Sequence, residues 1–306
     1  MLARIVPAGS RYRHAIVGLV ACGLIADGWV TEMPLTAAPR FSASVEAGRD
    51  GAILELPLGQ MYDDLEAMYR AMFHGRPVVN GFSGFTPSHY LALTRGLTRG
   101  EDDVLDLMVQ LGVRDVVINR PRDMDGRAAR FLSGYKSAQL VSETPTEMLF
   151  RLARGAGVEN QQVVGLPLTI RNVSANVNDD DVGKVFDDDL TSRWQTGPQR
   201  RGHQLVVDLG AVQPIGTIKL WLGPFAADAP RVLQIAVSDD GVNWRQMWRG
   251  PTAAQAIAAA IRDPVAVEMA FRCDGCRGRF VRLRQLGRDR IYDWSIAELS
   301  VLGTGS

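Results

Sequence analysis

Three cysteines and four histidines in a 306-residue chain leave little material for a disulfide scaffold or a histidine-rich metal centre. Cys273 and Cys276 form a lone C-x-x-C. A structural zinc site needs a second ligand pair, and none is present. A redox motif needs a helix after its first cysteine, whereas Asp274-Gly275 reads as a turn. The pair is therefore expected to close a local disulfide across a hairpin turn. An excess of one charge is also lacking. Lys+Arg and Asp+Glu number 34 each, so there is no electrostatic footprint for nucleic acid. No internal repeat is visible. Hydrophobic content of 46% beside 22% charged residues excludes a disordered chain. The length allows two domains, each with its own core.

Long apolar runs are scarce as well. The one that matters spans Ala15 to Ala26, preceded by Arg4, Arg11, Arg13 and His14 and followed by Trp29, Val30, Pro34 and Pro39. It is a little shorter than the ~20 residues of a spanning helix. Three readings stay open: a transmembrane helix within residues 1–30, with Trp29 at the far interface; a lipobox, Leu19-Val20-Ala21-Cys22, lipidating Cys22; or a cleaved signal peptide. Gly23-Leu24-Ile25-Ala26 stays apolar after the cysteine, which weighs against the lipobox. All three leave the arginine-rich end inside and the rest outside. A membrane-anchored, extracytoplasmic chain is expected.

Residues 31–50 read as a Pro/Ala/Ser linker. From Gly51 to Ala153 the pattern is that of a small α/β domain. Ala52 to Pro57 is a short strand stopped by proline. Met61, Leu65, Met68 and Met72 recur at helical spacing and predict a helix over Met61–Phe73 with one apolar face. A glycine- and proline-punctuated loop covers 77–87. Helices are expected at 87–96, 101–111 and 125–134, with strands at 115–119, 137–142 and 147–152. After a second linker, Ala153 to Gln162, strands with period-two alternation recur at 204–209, 217–221, 232–237, 266–271, 280–284 and 296–301. An alanine-rich insert at 253–261 suggests a helical turn. Short strands at this spacing make a sandwich. The chain is thus an α+β two-domain protein, with an N-terminal apolar helix, a small α/β domain over 51–153 and an antiparallel β-sandwich over 162–304.

Five ordered motifs in the second half closely resemble the discoidin, or coagulation factor 5/8 type C, family, which overlaps in bacteria with galactose-binding-like carbohydrate-binding modules. Val185-Phe186-Asp187-Asp188-Asp189-Leu190-Thr191-Ser192-Arg193-Trp194 looks like the family's "A-x-D-G-[DN]-x-x-T-x-W". His203 to Gly210 resembles "W-L-Q-V-D-L-G", and Ser238 to Trp244 matches "S-x-D-G-x-x-W". Arg279 to Leu283 matches "R-Y-[VI]-R-[LI]", and Ile296 to Leu299 matches "I-x-E-[LIV]". Asp188 stands where glycine is usual, which puts the loop's backbone in question. The resemblance implies a discoidin-like jelly roll that binds carbohydrate or glycoconjugate. It also implies a structural Ca²⁺ held by Asp187, Asp189, Ser192 and Glu298; adjacent aspartates repel without a cation, and oxygen-only ligands suit Ca²⁺. The alternative is a solvated turn capped by its own aspartates.

Ligands of such a fold dock at loops on one end of the sandwich. The candidates there are Phe225, Asp228, Tyr292, Asp293 and Trp294. Arg282 and Arg284 share the polar face of their strand and suit a hydroxyl or carboxylate, or else are plain sandwich surface. Trp194, Trp221 and Trp244 are expected mainly in the core. The fold is equally reused for protein–protein adhesion.

The α/β half resembles, less specifically, the extracytoplasmic region after the last transmembrane helix of bacterial polytopic GT-C-type glycosyltransferases, which use polyprenyl-phosphate sugars. The stretches that carry this are Leu54 to Pro57, Tyr69 to His74, Val79 to Tyr90 and Leu111 to Val117. The preceding helices and acidic catalytic residues of that family are absent, so this chain alone is not expected to transfer sugar. It implies instead a severed tail, or a subunit pairing with a membrane glycosyltransferase part. A Ser-His hydrolase built from Ser83 with His74 or His89, near Asn80 and Tyr90, is a poor alternative: Gly81-Phe82-Ser83-Gly84-Phe85 is not G-x-S-x-G.

Overall fold

In the computed structural model, residues 12–29, 38–39, 45, 49–153 and 165–304 are described. The basic start at Arg4 and Arg11, most of the 31–50 linker and the linker after Ala153 lie outside them. The chain divides into two compact units, Met1–Arg40 and Phe41–Ser306.

The first unit contains helix α1 (Arg13–Asp27, 15 residues), with Ile16, Leu19, Leu24 and Ile25 exposed. At 1.5 Å per residue this is about 22 Å, short of a ~30 Å hydrocarbon core. Among the described residues no helix is long and apolar enough to cross a membrane.

The second unit begins with a four-stranded sheet, in the order β1 (Ala52–Leu56), β2 (Val113–Asn119), β4 (Glu147–Leu152), β3 (Ala138–Glu143). β1 and β2 run parallel, and β2–β4 and β3–β4 are antiparallel. A parallel pair needs a long crossover, and α2 (Met61–His74), α3 (Ser88–Arg99) and α4 (Asp102–Gln110) supply it. α5 (Arg127–Gly134) follows β2.

Helix α2 forms where its periodicity predicts, and its apolar face is turned outward. Met61, Leu65, Met68 and Met72 are exposed, while Asp63, Asp64, Ala67 and Arg70 are buried. The reason is a polar network beneath the helix. Arg70 pairs with the buried Glu55 of β1. Asp64 accepts the Gly59 N–H and, at 3.0 Å, the Nδ2–H of Asn80. Asn80 in turn holds the β1 backbone, accepting the Glu55 N–H at 2.8 Å and donating to the Glu55 carbonyl at 2.9 Å. Buried polar groups are tolerated when each finds a partner, and hydropathic spacing carries no information on that pairing.

The sandwich is built on a six-stranded antiparallel sheet, β12 (Glu298–Leu302), β7 (Gln204–Trp221), β10 (Glu268–Gln285), β8 (Val232–Ser238), β9 (Arg245–Pro251), with β5 (Asn172–Ala175) also pairing β7. A two-stranded sheet, β6 (Trp194–Pro198) with β11 (Asp293–Ile296), faces it. The expected strands 204–209 and 217–221 are one continuous β7, and 266–271 and 280–284 are one β10. Cys273 and Cys276 are disulfide-bonded. They sit on an irregularity in β10, between Arg272↔Thr217 and Cys276↔Ile215, not at a hairpin turn. The alanine-rich insert is a full helix, α6 (Ala253–Arg262).

The two halves of this unit share one hydrophobic core, in which Leu93, Leu97 and Val104 cluster with Ala256, Ile257 and Trp294. Helix α3 packs against α6 and against the 3₁₀ turn at 226–228. The alanines of α6 allow this close approach. The α/β half and the sandwich, expected as two domains, thus meet in one hydrophobic cluster.

Candidate functional site

The loop end of the sandwich brings most of the expected ligand residues together, but not as an open site. Trp294 is wholly buried, edge-on to Trp194 at 5.1 Å between ring centroids. It fills the core and cannot stack on a sugar, contrary to its assignment from sequence. Phe225 is half-buried with the Arg193 guanidinium 3.4 Å from its ring centroid, so that face is covered. Asp228 is buried in the 226–228 turn, accepts the Ser295 hydroxyl at 2.9 Å and lies 3.7 Å from Arg193 Nε. Burial pushes its carboxyl up to about 6 despite those partners. Asp293 begins β11, paired with Pro198, and its carbonyl accepts Gln199 Nε2 at 2.7 Å. Tyr292 lies beside Arg231, 5.8 Å from guanidinium carbon to ring centroid.

What covers this end is helix α3. Arg95 of α3 forks onto Asp289, donating at 2.9 and 2.8 Å, while Arg231 donates to the same carboxylate at 2.8 Å. Burial alone would raise the Asp289 carboxyl, but these hydrogen bonds and the Arg231 charge hold it far below its ordinary value. A docking surface that uses the 226–228 turn and the Asp289 loop leaves Asp228 and Tyr292 as joint residues.

The aspartate loop turns at Asp188. Asp188 adopts φ +60°, the left-handed region where aspartate is tolerated and glycine is at ease. The resulting turn satisfies much of itself. Asp187 accepts the Ser192 hydroxyl at 2.6 Å, and Asp189 accepts the Thr191 N–H and hydroxyl at 2.9 and 2.6 Å. Glu298 approaches the loop from β12, and burial raises its carboxyl despite the nearby backbone N–H groups of Asp188 and Asp189. Its Oε1 is buried with no hydrogen-bond partner. That orphaned oxygen, among oxygen-only neighbours, fits a hard cation. Among the described residues, however, no group of three or more His, Cys, Asp or Glu is placed to hold a metal ion.

Arg282 and Arg284 lie elsewhere, on the outward face of the six-stranded sheet. Their neighbours Val281 and Leu283 point into the core, each fully buried, so period-two alternation puts the arginines outside. Arg282 sits over the Trp244 ring at 4.2 Å. Trp244, expected mainly as core filler, is half-exposed on this face. The pairing that brings the β8–β9 loop onto β10 was not visible in sequence.

In the α/β half a cavity of about 380 Å³ opens beside α2, lined by Met68, Phe82, Phe85, Tyr90 and Asp64 among others. Its polar groups are occupied within the protein. Ser83 Oγ donates to the Phe85 carbonyl at 2.7 Å, the Tyr90 hydroxyl accepts the Gly81 N–H at 3.1 Å, and Asp64 accepts the Asn80 Nδ2–H at 3.0 Å. Ser83 is thus placed as a turn residue, not as a nucleophile.

Residues 170–299 match the F5/8 type C domain model, over the span that carries the five motifs. Solved structures similar to the chain include the CBM32 of AlyQ in complex with 4,5-unsaturated mannuronic acid, 18% identical over 45% of this chain and 99% of that one, TM-score 0.36. CpGH89CBM32-5 from Clostridium perfringens, in complex with GalNAc-β-1,3-galactose, is 19% identical over 43% and 94%, TM-score 0.34. Chitosan-binding module 1 of a chitosanase/glucanase from Paenibacillus sp. IK-5 is 20% identical over 46% and 100%, TM-score 0.35. No curated protein matches the chain. With the ordered motifs and the sandwich topology in place, residues 170–299 of this chain are an F5/8 type C domain.

Proposed function

We propose that the protein is a non-catalytic, extracytoplasmic binding protein, tethered to a membrane through its apolar N-terminal segment, whose F5/8 type C domain binds carbohydrate. The observation that carries the binding reading is the outward sheet face. There a half-exposed Trp244 holds Arg282 at 4.2 Å, and Gln234 donates to Gln246 beside them at 2.9 Å. An aromatic ring with fixed amide and guanidinium donors is the usual equipment for sugar hydroxyls. The loop end, covered by α3, is the weaker location. A structural Ca²⁺ on Asp187, Asp189, Ser192 and Glu298 belongs to the proposal, and its support is the partnerless Glu298 Oε1. A glycan array probed with the whole chain tests the function: saccharide binding that falls with Trp244→Ala supports it, and a blank array at millimolar sensitivity counts against it.

A second reading is favoured by the exposed apolar side of α2, Met61, Leu65, Met68 and Met72. It makes the chain part of, or a subunit beside, a polyprenyl-phosphate-sugar-dependent membrane glycosyltransferase, with that side against the partner. A photo-cross-linker at Met72 in native membranes distinguishes the two. Capture of a polytopic glycosyltransferase supports the second reading, and its absence leaves the first.

A further inference from the structure

We infer that the carbohydrate is an acidic one, a saccharide bearing uronate or sulfate groups, held on the outward sheet face by Arg282 and Arg284. This rests on the carbohydrate-binding reading above and names the chemistry of its ligand.

The strand pairing lays out the face in two rows. One runs Arg249, Gln234, Arg284, Gln204 across β9, β8, β10 and β7. The next runs Gln246, Ala236, Arg282, Val206, Ser174 and ends on β5. Directly opposed residues of an antiparallel pair share a face, so three arginines and three glutamines crowd one surface with no carboxylate among them. Arg282 and Arg284 are two positions apart on one strand, about 7 Å along it. Both are partly buried, and the Nε of each is shielded from water without a hydrogen-bond partner. Burial and the charge of Arg284 both weigh against the charged form of Arg282, with no acidic neighbour to offset them.

The rest of the domain pairs comparable arginines. Arg279 forks onto Asp208 at 2.8 and 2.7 Å, Arg231 holds Asp289, and Arg245 reaches Asp239 at 3.4 Å. The carboxylates nearest this face are engaged elsewhere: Asp208 by Arg279, and Asp240 by the N–H groups of Val242 and Asn243. A buried guanidinium Nε without a hydrogen-bond partner, beside a like charge, is costly, and a planar oxyanion relieves it with bidentate hydrogen bonds.

The flanking amides of Gln204, Gln234 and Gln246, and the Trp244 ring, suit the hydroxyls and apolar face of a sugar. Neither row carries an exposed large apolar side chain for membrane insertion.

The test is titration of the whole chain with oligogalacturonate, with its carboxyl-reduced neutral counterpart, and with a sulfated oligosaccharide, in wild type and in Arg282→Gln, Arg284→Gln and the double variant. Since no acidic partner is lost, the variants should melt as the wild type does, which separates binding from folding. The expected result is binding of an acidic oligosaccharide at least about tenfold tighter than of the neutral one, with the preference abolished in the double variant. An acidic preference undiminished in the double variant overturns the inference. So does equal binding of the neutral oligomer, which leaves the carbohydrate reading standing. Tighter arginine-dependent binding to anionic vesicles or DNA also overturns it. Failure to bind any saccharide sinks the carbohydrate reading itself.

Discussion

Arg95 on α3 and Asp289 in the loop before β11, 194 residues apart in sequence, are joined by two parallel hydrogen bonds of 2.9 and 2.8 Å. This fork, shared with Arg231, fastens the α/β half to the end of the sandwich. It turns what resembles a ligand-binding end into an internal joint.

Removing the carboxylate should therefore loosen both halves together. Asp289→Asn leaves the buried Arg231 and the half-buried Arg95 without their counter-charge. A loss of about 3–5 kcal/mol is expected, as for one partner of a buried pair. Chemical denaturation followed by two probes, one in each half, should give a single coincident transition in wild type. Separate transitions in wild type would contradict the shared core.

Stability should rise as pH falls from about 6 towards 4 through Asp228. Its folded value, about 6, lies above the ordinary 3.8 because it is buried. The folded state therefore binds the proton more tightly, and the unfolding free energy falls as pH rises through that window, by up to about 3 kcal/mol. Asp228→Asn should flatten this slope. Asp289 works in the opposite sense, since its depressed carboxyl loses its contribution only in strong acid. Urea midpoints across the pH range measure both, and an unchanged slope in Asp228→Asn refutes the assignment.

Substitutions in α2 should invert the usual rule for amphipathic helices. Leu65→Gln or Met68→Gln alters an exposed position and should change stability by no more than about 0.5 kcal/mol. Asp64→Ala leaves the Gly59 N–H and one Asn80 amide hydrogen without an acceptor and should cost about 1–3 kcal/mol. Thermal melts of the three variants decide it.

A cation at the aspartate loop would show as linkage. Ca²⁺ at about one hundred times its dissociation constant should stabilise the fold by about 2.7 kcal/mol, relative to EDTA. Glu298→Gln should remove that shift, because it neutralises the carboxylate whose Oε1 lacks a partner. Identical melting curves with Ca²⁺ and with EDTA would mean that the loop is held by its own hydrogen bonds.

Much of this was legible in the residues. Strand alternation over 204–209, 217–221, 266–271 and 280–284 and the five ordered motifs specify the sandwich, since burying one face of a sheet forces period two. Asp188 kept the left-handed turn despite replacing glycine, because aspartate bears that conformation at modest cost. The sites were less legible. Trp294 and Asp228 carry side chains suited to a ligand, yet α3 packs over the end where they sit. The rows that place Arg282 beside Trp244 and Gln234 exist only once β8, β9 and β10 are in register.

The sequence by itself determined the longer strands and the helices of the α/β half, and that residues 170–299 are an F5/8 type C domain, because those properties follow from local periodicity and short motifs. Only the tertiary structure decided that α2 turns its methionines outward, that the loop end is a joint and that Arg282 and Arg284 lack a carboxylate. Each of these depends on which group a side chain meets across space, and partners such as Arg95 and Asp289 come from distant parts of the chain.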